Sequence, residues 1–209
     1  MKTVLFYIHD PMCSWCWGFS EVKKQLFKAL PAHIEIHRLL GGLAADNDQP
    51  MTVEMQQHLQ RVWQRIEKKI PGMKFNFNFW QNCQPRRSTY PACRAVIAAR
   101  IQGDEFDEMM TARIQQAYYQ QALNPSDRDT LVDLAAEIGL ERQLFSRDLD
   151  SDATQQTLLS EIELSRKLHA DSFPSLVLKI GDSAWPIAID YLDSSIMLES
   201  IEMLLSAGE

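Results

Sequence analysis

Asp10-Pro11-Met12-Cys13-Ser14-Trp15-Cys16-Trp17-Gly18-Phe19 is the stretch whose reading decides the fold. Ahead of it runs Thr3-Val4-Leu5-Phe6-Tyr7-Ile8, rich in the β-branched and aromatic residues that favour strands. Behind it Phe19, Val22, Leu26 and Leu30 recur at helical spacing, with Glu21, Lys23, Lys24 and Lys28 between them. A Cys-x-x-Cys therefore sits where a strand hands over to a helix, with Cys13 at the helix N-terminus and open to solvent. Free N–H groups and the positive end of the helix dipole favour a thiolate there over a thiol. Such placements lower a cysteine pKa from about 8.5 to about 3.5–7.5. Cys16, one turn further in, faces the same side and can close a disulfide once the first sulfur has attacked.

Two other readings of a Cys-x-x-Cys stand beside the redox one: half of a zinc site, or two cysteines packed in an apolar segment. A structural zinc site needs a second pair at similar spacing or suitably spaced histidines. The remaining cysteines, Cys83 and Cys93, have nine residues between them.

The 209 residues are 45% hydrophobic and 23% charged, enough apolar material for a sizeable core. A net charge of -7 without a basic cluster argues against nucleic acid or an anionic membrane as partner. The N-terminus leads straight into a strand and reads as no signal peptide, and no apolar run is long enough to span a bilayer. Four cysteines in such a length make no disulfide scaffold. A reducing cytoplasm, where the pair would cycle, is the expected location.

Pro31 ends the first helix, and Ile34 to Leu40 reads as a second strand stopped by Gly41-Gly42. The opening is thus β–α–β. About a hundred residues of helical pattern follow. Met55, Leu59, Val62, Ile66 and Ile70 form one stripe, stopped by Pro71-Gly72. Phe75 to Trp80 alternates like an exposed strand or extended loop, whose aromatics either line a peptide groove or bury one side on the helical unit. Ser88 or Thr89 is set to cap a helix with Pro91 in its first turn. Helices from Asp104, through Leu131 to Ile138, and from Glu141 to Leu149 complete the block. A long helix then runs to about His169. Ser175 to Ile180, a Gly181-Asp182 turn and Trp185 to Ile189 read as a hairpin, with Pro186 arguing for a sheet edge. A last helix carries Met197, Ile201, Leu204 and Leu205. The expected fold class is α/β, with domain boundaries at 1–45 (βαβ), 46–150 (helical insertion) and 151–209 (α-ββα).

X–Pro bonds are cis in only about 5–6% of folded cases, but Pro174 opens a central strand next to the one that delivers Cys13. A cis Phe173-Pro174 bond would turn the Phe173 backbone toward the sulfurs, where it can pair with an extended peptide.

This pattern resembles the DsbA branch of the thioredoxin superfamily, in which a helical domain interrupts a thioredoxin fold. The Cys13-Ser14-Trp15-Cys16 segment is similar to FrnE-like, often cytosolic, members. So are Gly41-Gly42-Leu43, Tyr90-Pro91-Ala92-Cys93-Arg94-Ala95 and Phe173-Pro174-Ser175-Leu176. The resemblance implies that Cys13 is the nucleophile, Cys16 the resolving thiol and Pro174 the cis-proline, with Phe173 and Trp15 meeting the substrate. The implied activity is thiol–disulfide exchange with protein or peptide thiols and disulfides, without a bound cofactor and with glutathione as a candidate redox partner. Ser14-Trp15 differs from the Pro-His of DsbA and the Gly-Pro of thioredoxin, so the resemblance does not fix the direction of exchange. The alternative on the same fold is a glutathione-dependent transferase or isomerase of the kappa-class or 2-hydroxychromene-2-carboxylate isomerase type. Those relatives generally carry serine at the first position, so the full Cys pair counts against it.

Weaker candidates remain. His9 is near enough in sequence to influence Cys13, or is a solvated strand-end histidine. Cys93 lies in the first turn of a helix, where its pKa could drop, or is a free buried cysteine. Arg86-Arg87 could steer an anionic thiol such as glutathione.

Overall fold

The structure, a computed structural model, describes residues 2–207. The first strand, β1 (Thr3–His9), is buried along its whole length, as its unbroken apolar run requires. Two helices follow, α1 (Ser14–Gly18) and α2 (Ser20–Ala29), where the sequence pattern reads as one. Phe19 separates them, ending the first helix and opening the second. The chain returns as β2 (Ile34–Leu40), parallel to β1 with Thr3 opposite Ile34 and His9 opposite Leu40.

The helical block comprises α3 (Val53–Lys69), α4 (Phe79–Asn82), α5 (Tyr90–Gln102), α6 (Glu105–Tyr119), α7 (Arg128–Glu137) and α8 (Arg142–Leu149). Thr52 opens α3 properly, its hydroxyl accepting the Met55 N–H at 3.3 Å. Of the two expectations for residues 75–80, strand or loop, the loop holds, and it runs into the short α4. Their aromatic rings gather around Trp63 on α3, with centroids at 5.0 Å for Phe75, 5.6 Å for Phe77, 6.1 Å for Phe79 and 4.8 Å for Trp80. One ring serves as the common partner, so the segment wraps instead of extending.

The chain re-enters the sheet through α9 (Asp152–Lys167), β3 (Ser175–Ile180), β4 (Ser183–Ile187) and α10 (Ser194–Ala207). Sheet order is β2-β1-β3-β4, with β3 antiparallel to β1 and to β4. Pro186 sits on the edge strand β4, where a missing N–H costs no ladder bond. Leu5 and Tyr7 face α2 and α10 through Phe19, Leu26, Met197 and Ile201. Val4, Phe6 and Ile8 face Leu39, Ala170 and Val177 on the other side.

The helical block is not a separate bead. Its core around Ala92, Val96, Met110 and Leu131 also takes in Leu40 of β2 and Leu158 and Ile162 of α9. A charged network ties the same parts together. Glu108 accepts from Lys23 and Arg38, both at 2.9 Å, and Arg100 donates to Asp107 at 2.8 Å and to Glu161 at 2.7 Å. Glu161 in turn accepts the Leu40 N–H at 2.7 Å. Among the described residues no helix is long and apolar enough to cross a membrane.

Candidate active site

The end of β1 turns at Asp10, whose main-chain carbonyl accepts the Cys13 N–H at 3.0 Å. That turn places Cys13 as the N-cap of α1 in extended backbone (φ -81°, ψ 114°). Its sulfur takes the place of a capping oxygen, accepting the Cys16 N–H at 3.4 Å. The Cys13 thiol also reaches the Phe173 carbonyl at 3.4 Å, 160 residues away in the chain. The sequence brings both sulfurs to one helix start, as expected, but not to open solvent: Cys13 is 6% exposed and Cys16 1%. The expectation of a solvent-open Cys13 is therefore corrected; the roof over it is Phe173 and the groove wall. All four cysteines are free thiols. Burial, above all, drives the Cys16 pKa well up, and the hydrogen bond and charge of Cys13 add to this.

The Phe173-Pro174 bond is cis. Phe173 and Trp15 line a groove of about 330 Å³ that opens over Cys13, while Pro174 is buried behind them. Gly41 explains the Phe173 position, since a Cβ there would run into its ring. Gly42 adopts φ +61° and has Tyr90 and Ile162 pressed against it, at 2.8 and 2.5 Å from where a Cβ would sit. The segments Gly41-Gly42-Leu43, Tyr90 to Ala95 and Phe173-Pro174 thus meet at one place.

Arg65, Arg86, Arg87 and His58 also line the groove, and no carboxylate does so among the described residues. Arg86 and Arg87 do not act as a pair. Arg86 is committed to the Ser126 carbonyl and the Asp127 carboxylate, both at 2.6 Å. The guanidinium groups of Arg65 and Arg87 have no hydrogen-bond or ion-pair partner among the described residues. Trp15 rests on Tyr191 at 4.9 Å between centroids, and Lys69 lies 5.6 Å over its ring.

Two of the weaker candidates, His9 and Cys93, are buried. His9 is 1% exposed rather than solvated, its ring stacked on Tyr7 at 4.7 Å and both nitrogens without a partner. Burial first, then the charges of Lys23, Arg100 and Arg38, push its pKa well down. Cys93 is fully buried, and its pKa rises well above the usual value by desolvation and the charge of Asp10, where the helix start had suggested a drop. Cys83 donates to the Ala122 carbonyl at 3.1 Å and lies apart from the pair. His33 and His37 are the one pair of histidines at His-x₃-His spacing, the first in the turn before β2 and the second within it. Among the described residues no three His, Cys, Asp or Glu side chains converge as a metal site.

Sequence reasoning missed Asp10. Its carboxylate is wholly buried and accepts the Met12 and Leu43 N–H groups at 2.8 Å, the Thr89 hydroxyl at 2.6 Å and the Cys93 thiol at 3.4 Å. Thr89, expected to cap α5, gives its hydroxyl to Asp10 instead. The available signal was an aspartate just past a strand with an apolar run from Val4 to Ile8, where an unpaired acid is unwelcome.

The thioredoxin family profile matches residues 6–183. The chain superposes on a candidate protein disulfide isomerase from Nitrosomonas europaea at a TM-score of 0.86, with 26% identity and full coverage of both chains. It also superposes on the cytosolic disulfide reductase DsbM from Pseudomonas aeruginosa at 0.77, with 23% identity over 98% of this chain and 99% of that one. DsbA from Pseudomonas aeruginosa follows at 0.63 and 13%, covering 99% and 84% of the two chains. In sequence, the chain is 24% identical over 172 residues to the ClpXP adapter protein SpxH of Halalkalibacterium halodurans, covering 80% of this chain and 56% of that protein. It therefore spans about half the length of the curated relatives it matches. Profile, sheet order and inserted helices agree: the chain belongs to the thioredoxin family and has the DsbA-like form of its fold.

Proposed function

We propose that the protein is a thiol–disulfide oxidoreductase whose working pair is Cys13 and Cys16. One observation carries this reading: the Cys13 sulfur caps a helix at 3.4 Å from the Cys16 N–H and faces a groove, with Cys16 buried directly behind it. In the reducing direction Cys13 attacks a substrate disulfide as thiolate. The Cys13–substrate bond forms, the substrate bond breaks, and one substrate thiolate leaves. Cys16 then attacks the Cys13 sulfur, which closes Cys13–Cys16 and releases the second thiolate. The two protons of the pair end on the two released thiolates, and two electrons pass to the substrate. The reverse order oxidises a dithiol.

Phe173 and Trp15 flank the attacking sulfur and would bracket an extended substrate, with Pro174 fixing the loop behind. Protein or peptide disulfides are the proposed substrates and glutathione a proposed small-thiol partner. Arg65 and Arg87, cations without a partner among the described residues, in a groove that no described carboxylate lines, support an anionic thiol. The DsbM structure determined with GSH is consistent with that choice. A cytoplasmic location is proposed on the same footing. The adapter role belongs to proteins of which this chain spans about half, and it is not carried over.

The test is trapping. Cys16→Ser leaves a nucleophile that attacks but has no partner to release it, so it should accumulate covalent adducts that dithiothreitol removes. Cys13→Ser should accumulate none. Equal trapping by both variants, or by neither, overturns the assignment; trapping of glutathione alone, with no protein partner, favours the glutathione-dependent transferase or isomerase reading.

A further inference from the structure

Asp10 is 0% exposed and pairs with no cation among the described residues. Its charge is balanced only by dipoles: the Met12 N–H on one oxygen, and the Leu43 N–H, Thr89 hydroxyl and Cys93 thiol on the other. These donors come from three separate places, the turn before α1, the loop after β2 and the start of α5. The main chain of the same residue holds the Cys13 N–H at 3.0 Å. One buried carboxylate therefore fastens the turn presenting Cys13 to two walls of the groove. The titratable groups around it include Cys13 of the same turn, Cys16, Cys93, Tyr118 and Tyr119.

We propose that Asp10 is a positioning residue of the redox pair that also sets its poise, its buried negative charge disfavouring the thiolate forms of the reduced pair. This rests on the reading of Cys13 and Cys16 as a redox pair. A charge with no counter-ion in a low-dielectric site acts strongly on its neighbours. The disulfide is neutral and indifferent to it, whereas a reduced pair carrying a thiolate is not. The charge thus favours handing electrons to a substrate over withdrawing them. When Cys16 resolves a mixed disulfide, the Cys13–Cys16 bond forms, the Cys13–substrate bond breaks, and the Cys16 proton leaves with the departing substrate thiolate. The Asp10 charge pushes the Cys16 pKa up, in line with this, though it is a smaller cause than burial and Cys13, and a main-chain hydrogen bond to Asp10 pulls the other way.

The experiment is equilibration of the Cys13–Cys16 pair against glutathione buffers at neutral pH. Three proteins are compared: the unaltered chain, Asp10→Asn and Thr89→Val. Loss of the charge in Asp10→Asn should move the equilibrium toward the dithiol by at least about tenfold, or about 30 mV toward oxidising potentials. Thr89→Val loses one donor but keeps the charge, and should move it by less than about threefold. Equal shifts in both variants, or none in Asp10→Asn, would overturn the proposal and leave Asp10 a structural anchor. Should Asp10→Asn not fold, the carboxyl carbon resonance of Asp10 in the unaltered protein answers the same question. Linkage is reciprocal, so Asp10 should titrate at higher pH in the dithiol form than in the disulfide form. Identical titrations in both forms would refute it. A chain that never equilibrates with glutathione would instead count against the redox reading itself.

Discussion

The His9 ring lies flat against Tyr7, one step before the redox turn, with no acceptor or donor for either nitrogen among the described residues. Lys23, Arg38 and Arg100 all stand near enough to oppose a positive charge on it, and the acids among them, Asp107, Glu108 and Glu161, are already engaged by those same cations. The histidine is therefore neutral when folded, while in the unfolded chain it takes up a proton below about 6.5. The sign follows from linkage. Because the folded value is depressed, the unfolded state binds the extra proton first, and stability drains away as the pH falls below about 6.5. His9→Phe keeps the ring stack and removes the titration. Urea midpoints of the two proteins should run parallel above pH 7 and diverge below about 6.5, with the histidine protein losing more. Parallel curves down to pH 5 would show that His9 is not held neutral. What surrounds this residue and Asp10 was not readable in advance. The alternation of β1 tells which face a side chain takes, but not which charges distant helices bring to it.

At the scale of elements, the βαβ opening and the hairpin were legible because β1 and β3 are compact apolar runs and Gly, Pro or Asp residues punctuate the strands. Residues 75–80 were legible in part: burial against the helical unit was one of the two readings, but their common partner, Trp63, lies on another helix and no local pattern names it. The meeting of β2 with the loop before β3 has a sharper consequence. Gly41 donates its N–H to the His9 carbonyl at 2.8 Å and gives its missing side chain's space to the Phe173 ring. In Gly41→Ala the ring must move, and the Phe173 carbonyl that meets Cys13 moves with it. Overpacking of this kind costs about 1–3 kcal/mol of stability. Disulfide exchange should slow by about tenfold, equivalent to about 1.4 kcal/mol in the barrier. Gly72→Ala is the control. It has φ +81° and open space around it, so it should lose about 1–2 kcal/mol through the backbone alone and keep its exchange rate. Equal slowing in both variants would detach Gly41 from the site.

For the whole molecule the question is whether the helical block and the thioredoxin half unfold together. The sequence pattern changes texture near residues 46 and 150, which suggested boundaries there, yet Leu40, Leu158 and Ile162 pack into the block's own core. Arg100 of α5 is the charged counterpart of that shared packing, held between Asp107 of α6 and Glu161 of α9, whose side chains are only 6% and 10% exposed. We propose a single cooperative transition, with tryptophan fluorescence and far-ultraviolet circular dichroism reporting the same urea midpoint. Arg100→Met leaves buried Glu161 without its cation and Asp107 with only Arg38, at 4.0 Å, a loss of about 3–5 kcal/mol. Burial already raises the pKa of both acids against the pull of Arg100, so removing the cation raises them further. A group whose folded pKa lies above its unfolded one stabilises at low pH and loses that contribution as the pH rises. The deficit of Arg100→Met should accordingly be largest at neutral pH and shrink on acidification, as the two carboxylates take up protons. A deficit that stays constant from pH 7 to pH 5 would mean that Arg100 contributes packing alone. Separate midpoints for the two probes in the unaltered chain would show that the shared core does not weld the halves.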